Sequence, residues 1–145
     1  MEYLCAGGRR FLAVDMSGAR DGDIARLQYP SVQLEAGSCL HLDYRLVGAV
    51  QLEIGYQLNV SDGHLLCILA PNSTHVGWFS ADVLIPAGQY QLLYFDAVFL
   101  SLRGEMPLVA VDSIKLLDEN CSRIEFRGKS STFVDTNEFN VCIVT

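Results

Sequence analysis

Val50-Gln51-Leu52-Glu53-Ile54-Gly55-Tyr56-Gln57-Leu58-Asn59-Val60 alternates apolar residues with polar residues or glycine for eleven positions without a break. Successive side chains of an extended chain point to opposite sides, so this period of two puts one face in a core and the other in water. A helix would need apolar residues at i, i+3, i+4 and i+7, and no window of ten or more residues shows that spacing. The stretch is a half-buried β-strand. Upstream, Leu40, Leu42, Tyr44 and Leu46 alternate in the same way with His41, Asp43 and Arg45, and Gly48 sits between the two runs. That arrangement predicts a hairpin of adjacent antiparallel strands. The polar residues His41, Asp43 and Arg45 would then lie beside Gln51, Glu53 and Gln57 on one sheet face.

Further strand-like runs cover 10–16, 24–29, 64–70, 78–85, 89–100, 107–117, 132–135 and 139–144. Ser17-Gly18, Asp21-Gly22, Glu35-Ala36-Gly37, Ser61-Asp62-Gly63, Pro71-Asn72-Ser73, Pro86-Ala87-Gly88 and Arg103-Gly104 punctuate them with residues that suit tight turns. Many short strands with turn chemistry between them predict an all-β fold, a two-sheet antiparallel β-sandwich that is jelly-roll-like and has very little helix.

Composition agrees with one compact domain spanning 1–145. The chain has 145 residues, of which 50% are hydrophobic and 19% charged, enough apolar surface to offset chain entropy and exclude disorder. The longest apolar runs, such as Leu65 to Ala70, fall far short of the roughly 20 residues of a membrane-spanning helix. A net charge of −7 repels a nucleic-acid backbone, and Arg9-Arg10 is the one adjacent basic pair. Cys5, Cys39, Cys67, Cys121 and Cys142 are dispersed, without the close spacing of a zinc knuckle or a redox dithiol. Dispersed cysteines suit disulfides and an oxidising compartment. Met1 to Arg10 lacks a signal-peptide core, so the expectation is a segment of a longer secreted chain, extracellular or at the cell surface.

Several landmarks then fall in a definite order. Gly8 to Asp15 gives a glycine, an aromatic and a strand closing on Asp15; Ala25-Arg26-Leu27-Gln28-Tyr29-Pro30 follows, and then Cys39-Leu40-His41-Leu42-Asp43-Tyr44. Trp78 precedes the Ala81 to Ala97 segment, and Val109-Ala110-Val111-Asp112-Ser113-Ile114 leads to Cys121. In this order and spacing, 7–121 resembles the MAM domain, an extracellular β-sandwich of meprins, neuropilins and receptor tyrosine phosphatases. The family's opening segment is replaced by Met1 to Ala6, and its second closing aspartate is Ser113. A more polar, basic loop and an extra terminal strand follow over 122–145.

The resemblance implies a Cys39–Cys121 disulfide and a non-catalytic interaction module that works in cell adhesion, receptor assembly or oligomerisation. Its partner would be another cell-surface or secreted protein, or a second copy of itself. Cys5 and Cys142 flank the domain and would pair if the terminal strands are neighbours; Cys67, in an apolar strand, reads as a buried thiol. Asn59-Val60-Ser61 and Asn72-Ser73-Thr74 are N-glycan acceptor sequences placed at turns. Asp15, Asp21, Asp23 and Glu35 form the densest acidic cluster and would be the ligands of a structural calcium. Without ordered ligand spacing, solvated loop carboxylates are the plainer reading, and no cofactor is required. His41, His64 and His75 have no metal-ligand spacing, and no nucleophile elbow or phosphate loop occurs, so no enzyme is expected. The alternative is a carbohydrate-binding jelly roll in which Trp78, Tyr90 or Tyr94 would stack on sugar rings. For the polar face of His41, Asp43, Arg45, Gln51, Glu53 and Gln57, an interaction patch is weighed against an ordinary solvated surface, the plainer reading.

Overall fold

The protein's computed structural model describes residues 2–6, 9–14, 18–59, 62–72, 74–117, 121, 132–134 and 142–144, with the backbone alone for 2–6, 9–10, 132–134 and 142–144. The strands are β1 (Glu2–Ala6), β2 (Arg9–Ala13), β3 (Ile24–Leu34), β4 (Ser38–Val47), β5 (Ala49–Gln57), β6 (Gly63–Leu69), β7 (Phe79–Ile85), β8 (Gly88–Ser101), β9 (Leu108–Leu117), β10 (Thr132–Val134) and β11 (Cys142–Val144). They form a seven-stranded sheet ordered β1-β2-β9-β4-β7-β11-β10 and a four-stranded sheet ordered β3-β8-β5-β6. Each neighbouring pair is antiparallel. The architecture is a jelly-roll-like β-sandwich, and no α-helix occurs among the described residues.

The core lies between the sheets. Leu40, Leu42, Val83, Val109 and Val111 from the larger sheet meet Val50, Leu52, Ile54, Phe95, Ala97 and Phe99 from the smaller one, all buried. Burial of a Val, Leu, Ile or Phe side chain contributes about 1.5–3 kcal/mol. The alternation in β4 and β5 thus does what a period of two requires: each strand sends its apolar set inward.

The predicted hairpin is corrected. β4 pairs with β7 and β9, whereas β5 pairs with β6 and β8, so the two strands belong to different sheets. Gly48 turns the chain across the sandwich at φ +80°, and a Cβ there would lie 3.1 Å from both the Glu105 carbonyl and Pro107 Cα. An inward-facing alternation is satisfied equally by two strands side by side and by two strands facing each other across a core. Which one forms depends on partners distant in sequence.

Two other boundaries move. β3 continues through Pro30 to Leu34, because it is an edge strand and an edge tolerates a residue without an N–H donor. Ser31, at φ +48°, is skipped in the register between Pro30↔Leu92 and Val32↔Tyr90. At the N-terminus β1 pairs antiparallel with β2, with Cys5 opposite Arg10, and β1 covers a segment for which the sequence pattern predicts no strand.

Cys39 at the start of β4 and Cys121 beyond the end of β9 form a disulfide with Cα atoms 5.0 Å apart. Cys67 is also disulfide-bonded, which corrects its reading as a thiol. An apolar site accommodates a half-cystine as readily as a thiol, so burial alone does not distinguish them. The condition set for a Cys5–Cys142 pair is not met, because β2, β9, β4 and β7 separate β1 from β11. The side chains of Cys5 and Cys142 lie outside the described residues.

Candidate interaction surface

Strand register arranges the outer face of the four-stranded sheet in rows. Ile24, Val98 and Gln51 form one row; Arg26, Asp96, Glu53 and Ile68 the next; Gln28, Tyr94 and Gly55 the third; Pro30, Leu92 and Gln57 the fourth. The second and third rows lock together. Arg26 donates from Nε and Nη2 to the two Asp96 carboxylate oxygens, each at 2.7 Å. The same guanidinium lies over the Tyr94 ring, 4.3 Å from its centroid. The bidentate fork fixes the plane of the guanidinium, and the ring adds a cation–π contact.

Gly55 completes the arrangement. A Cβ at this position would overlap the Tyr94 ring and hydroxyl, so the ring can lie across β5 only because residue 55 is glycine. A bulge between Ile54 and Gly55 shifts the register to β6 here, a place where glycine commonly permits close approach. The Tyr94 hydroxyl reaches the His64 carbonyl at 3.5 Å. Asp96 is only 4% exposed despite lying on an outer face. Its hydrogen bond raises the Arg26 pKa above the ordinary value, and burial raises that of Tyr94. Gln51 donates to Glu53, tying the first and second rows. Ile24 and Ile68 stay exposed at the two edges.

The outer face of the seven-stranded sheet is chemically different. His41 Nδ1 lies 2.7 Å from Asp82 Oδ1, its Nε2 is 3.6 Å from Asp43, and Ser80 donates to Asp43. Asp112 stands opposite Asp43 and Lys115 opposite His41. Arg45 Nε is buried with no hydrogen-bond partner among the described residues. The six residues read as one patch therefore separate: His41, Asp43 and Arg45 lie on one outer face and Gln51, Glu53 and Gln57 on the other. The cause is the crossing at Gly48.

The acidic cluster disperses as well. Asp21 accepts from the Leu102 amide just beyond β8 at 2.8 Å, and Asp23 accepts from the Arg20 amide within its own turn at 2.8 Å. Glu35 accepts from Gln33 and lies beyond the far end of β3, an 11-residue strand, so it is remote from Asp23 at about 3.3 Å per residue. Asp15 lies outside the described residues. No group of three or more His, Cys, Asp or Glu arranged to hold a metal ion occurs among the described residues.

Tyr90 and Tyr94 are both buried, the Tyr90 hydroxyl donating to the Pro86 carbonyl. Trp78 packs edge-on against Phe11 with centroids 5.4 Å apart. Tyr90 also lines a groove of about 640 Å³, with Val32 and Leu58 beside it and the polar side chains of Ser31, Gln33, Asn59, Gln89 and Gln91 around it. Asn59 and Asn72 are exposed; Asn59 donates to Asp62 at 2.7 Å, and Asn72 accepts from the Thr74 amide and hydroxyl at 2.9 and 2.8 Å. Val60, Ser61 and Ser73 lie outside the described residues.

The alternation places Gln51, Glu53 and Gln57 on one strand face, as the register does, and Tyr94 enters the sequence reading only as a sugar-stacking candidate; Arg26, Asp96 and Gly55 are not among its candidate residues. Two signals were present: a carboxylate, Asp96, inside the long apolar run of β8, and a glycine at a polar position of an otherwise regular strand. A charge in such a run calls for a partner.

The family model described as MAM domain, meprin/A5/mu, matches residues 2–122. Among solved structures, one titled Family 16 Carbohydrate Binding Module-2 is similar, at 15% identity over 77% of this chain and 78% of that chain, with a TM-score of 0.45. A search of the curated proteins finds no match.

Proposed function

The chain belongs to the MAM domain family, and from that premise we propose that it is a non-catalytic extracellular interaction module acting through the outer face of the β3-β8-β5-β6 sheet. The observation that carries this reading is the Arg26–Asp96 pair seated on Tyr94 and flanked by exposed Ile24 and Ile68. Interface cores are enriched in Tyr and Arg and depleted of free charge. Here the one arginine of the rows is neutralised by its own neighbour and the ring beneath it is fixed, so little side-chain entropy remains to be lost on contact. The partner is a cell-surface or secreted protein, a second copy of the chain included. The Cys39–Cys121 disulfide supports an oxidising location.

The test is binding of the labelled, secreted chain to cultured cells. Ile24→Asp and Glu53→Arg should weaken binding at least tenfold with little change in melting temperature. Arg45→Glu, on the opposite face, should leave binding unchanged; the reverse pattern would assign the function to the seven-stranded sheet.

A second reading has its own observation. The groove bordered by Gln33, Asn59, Gln89 and Gln91 offers paired donors and acceptors that suit sugar hydroxyls. A selective signal on a glycan array, lost in Gln89→Ala, would favour it.

A further inference from the structure

Cys67 is disulfide-bonded, and Cys39 and Cys121 are bonded to each other. The five cysteines of the chain leave Cys5 and Cys142 as the intramolecular partners open to Cys67. Cys5 lies in β1, at the outer edge of the larger sheet, with β2, β9 and β4 between it and β7. Cys142 lies in β11, which is hydrogen-bonded to β7 and takes the register position opposite Val83, a core residue. β6, the strand that carries Cys67, is the edge of the smaller sheet and lies against both β7 and β11. Cys67 itself is 3% exposed and stands opposite Ile54 on the core side of β6. Topology thus separates the two candidates: one belongs to a strand that lies against β6, the other to the far edge.

We infer that Cys142 is the partner of Cys67, and that this bridge joins the two sheets along the edge where β6 meets β7 and β11. The bond forms as two thiols lose their protons to solvent and pass two electrons to a disulfide oxidant of the secretory compartment, which is reduced to a dithiol. Cys142 lies beyond the 2–122 family match, so the bridge ties the C-terminal extension covalently to the sandwich. It also fixes β6, whose Ile68 borders the outer face described above. The inference rests on strand order and stands whether or not that face binds a partner.

Peptide mapping of the full, secreted chain, alkylated without reduction, tests it. The expected map links the Cys67 peptide to the Cys142 peptide and leaves Cys5 outside that link. A Cys67–Cys5 link, or an alkylated Cys67, overturns the inference. Cys142→Ala adds a second measurement: Cys67 should become alkylated in any secreted variant, and a Cys67 that stays blocked in Cys142→Ala excludes Cys142 as its partner. Should the variant fail to be secreted, the map of the unaltered chain decides alone.

Discussion

The Tyr94 ring reaches across Gly55, and the Arg26 guanidinium lies over that ring; each layer depends on the one beneath it. A larger residue at 55 would lift the ring and remove the support under the arginine. Gly55→Val is therefore expected to cost about 1–3 kcal/mol, the usual price of overpacking. The Tyr94 phenol, which burial now holds above its ordinary pKa, should titrate closer to that ordinary value in the variant; spectrophotometric titration of tyrosinate reads the change. Arg26→Met attacks the same site from above. It leaves the nearly buried Asp96 carboxylate without its two donors, a loss of about 1–3 kcal/mol once the exposure of Arg26 is allowed for. The double change with Asp96→Leu should recover most of that loss in denaturant unfolding, because no unpaired charge remains. None of this layering was visible in the sequence, where Arg26, Gly55 and Asp96 stand in three separate segments whose register is set by long-range pairing.

At the level of elements, the strands other than β1 were legible and their partners were not. The alternation in β4 and β5 located both strands and the inward face of each, since side-chain parity is a local property of an extended chain. It carried no information about whether the next strand lies beside or opposite, and the polar patch drawn across the two fell apart for that reason. The crossing at Gly48 can be tested directly. With φ at +80° and backbone atoms of the Glu105–Pro107 segment 3.1 Å from a Cβ, Gly48→Ala should cost at least about 1–2 kcal/mol from the left-handed conformation alone. By comparison Gly104, also at positive φ but with open space around it, should show only the conformational part. A difference in melting temperature between the two variants isolates the contact at the crossing. The β4–β9 junction carries a further constraint through Cys39–Cys121, whose sequence separation is 82. Replacing both cysteines with alanine is expected to lower stability by about 4 kcal/mol in the chain-entropy picture, measured by denaturant unfolding.

For the molecule as a whole, the decisive property is a core shared by two sheets, and Tyr44 reports on it. Tyr44 faces inward from β4, stacks with Phe79 at 6.0 Å between centroids, and is buried. Burial pushes its phenol from the ordinary 10.0 up to about 12. In the unfolded chain the same phenol loses its proton near the ordinary value, so between pH 10 and pH 12 the unfolded state binds fewer protons than the folded one. Stability must then fall as pH rises through that window, while the contribution is fully present below it. Tyr90 and Tyr94, also raised by burial, act in the same direction, and the growing negative charge of a chain already at −7 adds self-repulsion. Thermal unfolding followed by circular dichroism should show a melting temperature that declines from pH 10 to pH 12, and Tyr44→Phe should flatten the decline. Because Tyr44 stands between sheets rather than on a surface, its ionisation should coincide with loss of the β spectrum. The Tyr44 tyrosinate signal, read as the difference between the unaltered chain and Tyr44→Phe because exposed tyrosines such as Tyr29 also titrate, would contradict the shared core on which both outer faces depend if it appeared well below the unfolding transition with the fold intact.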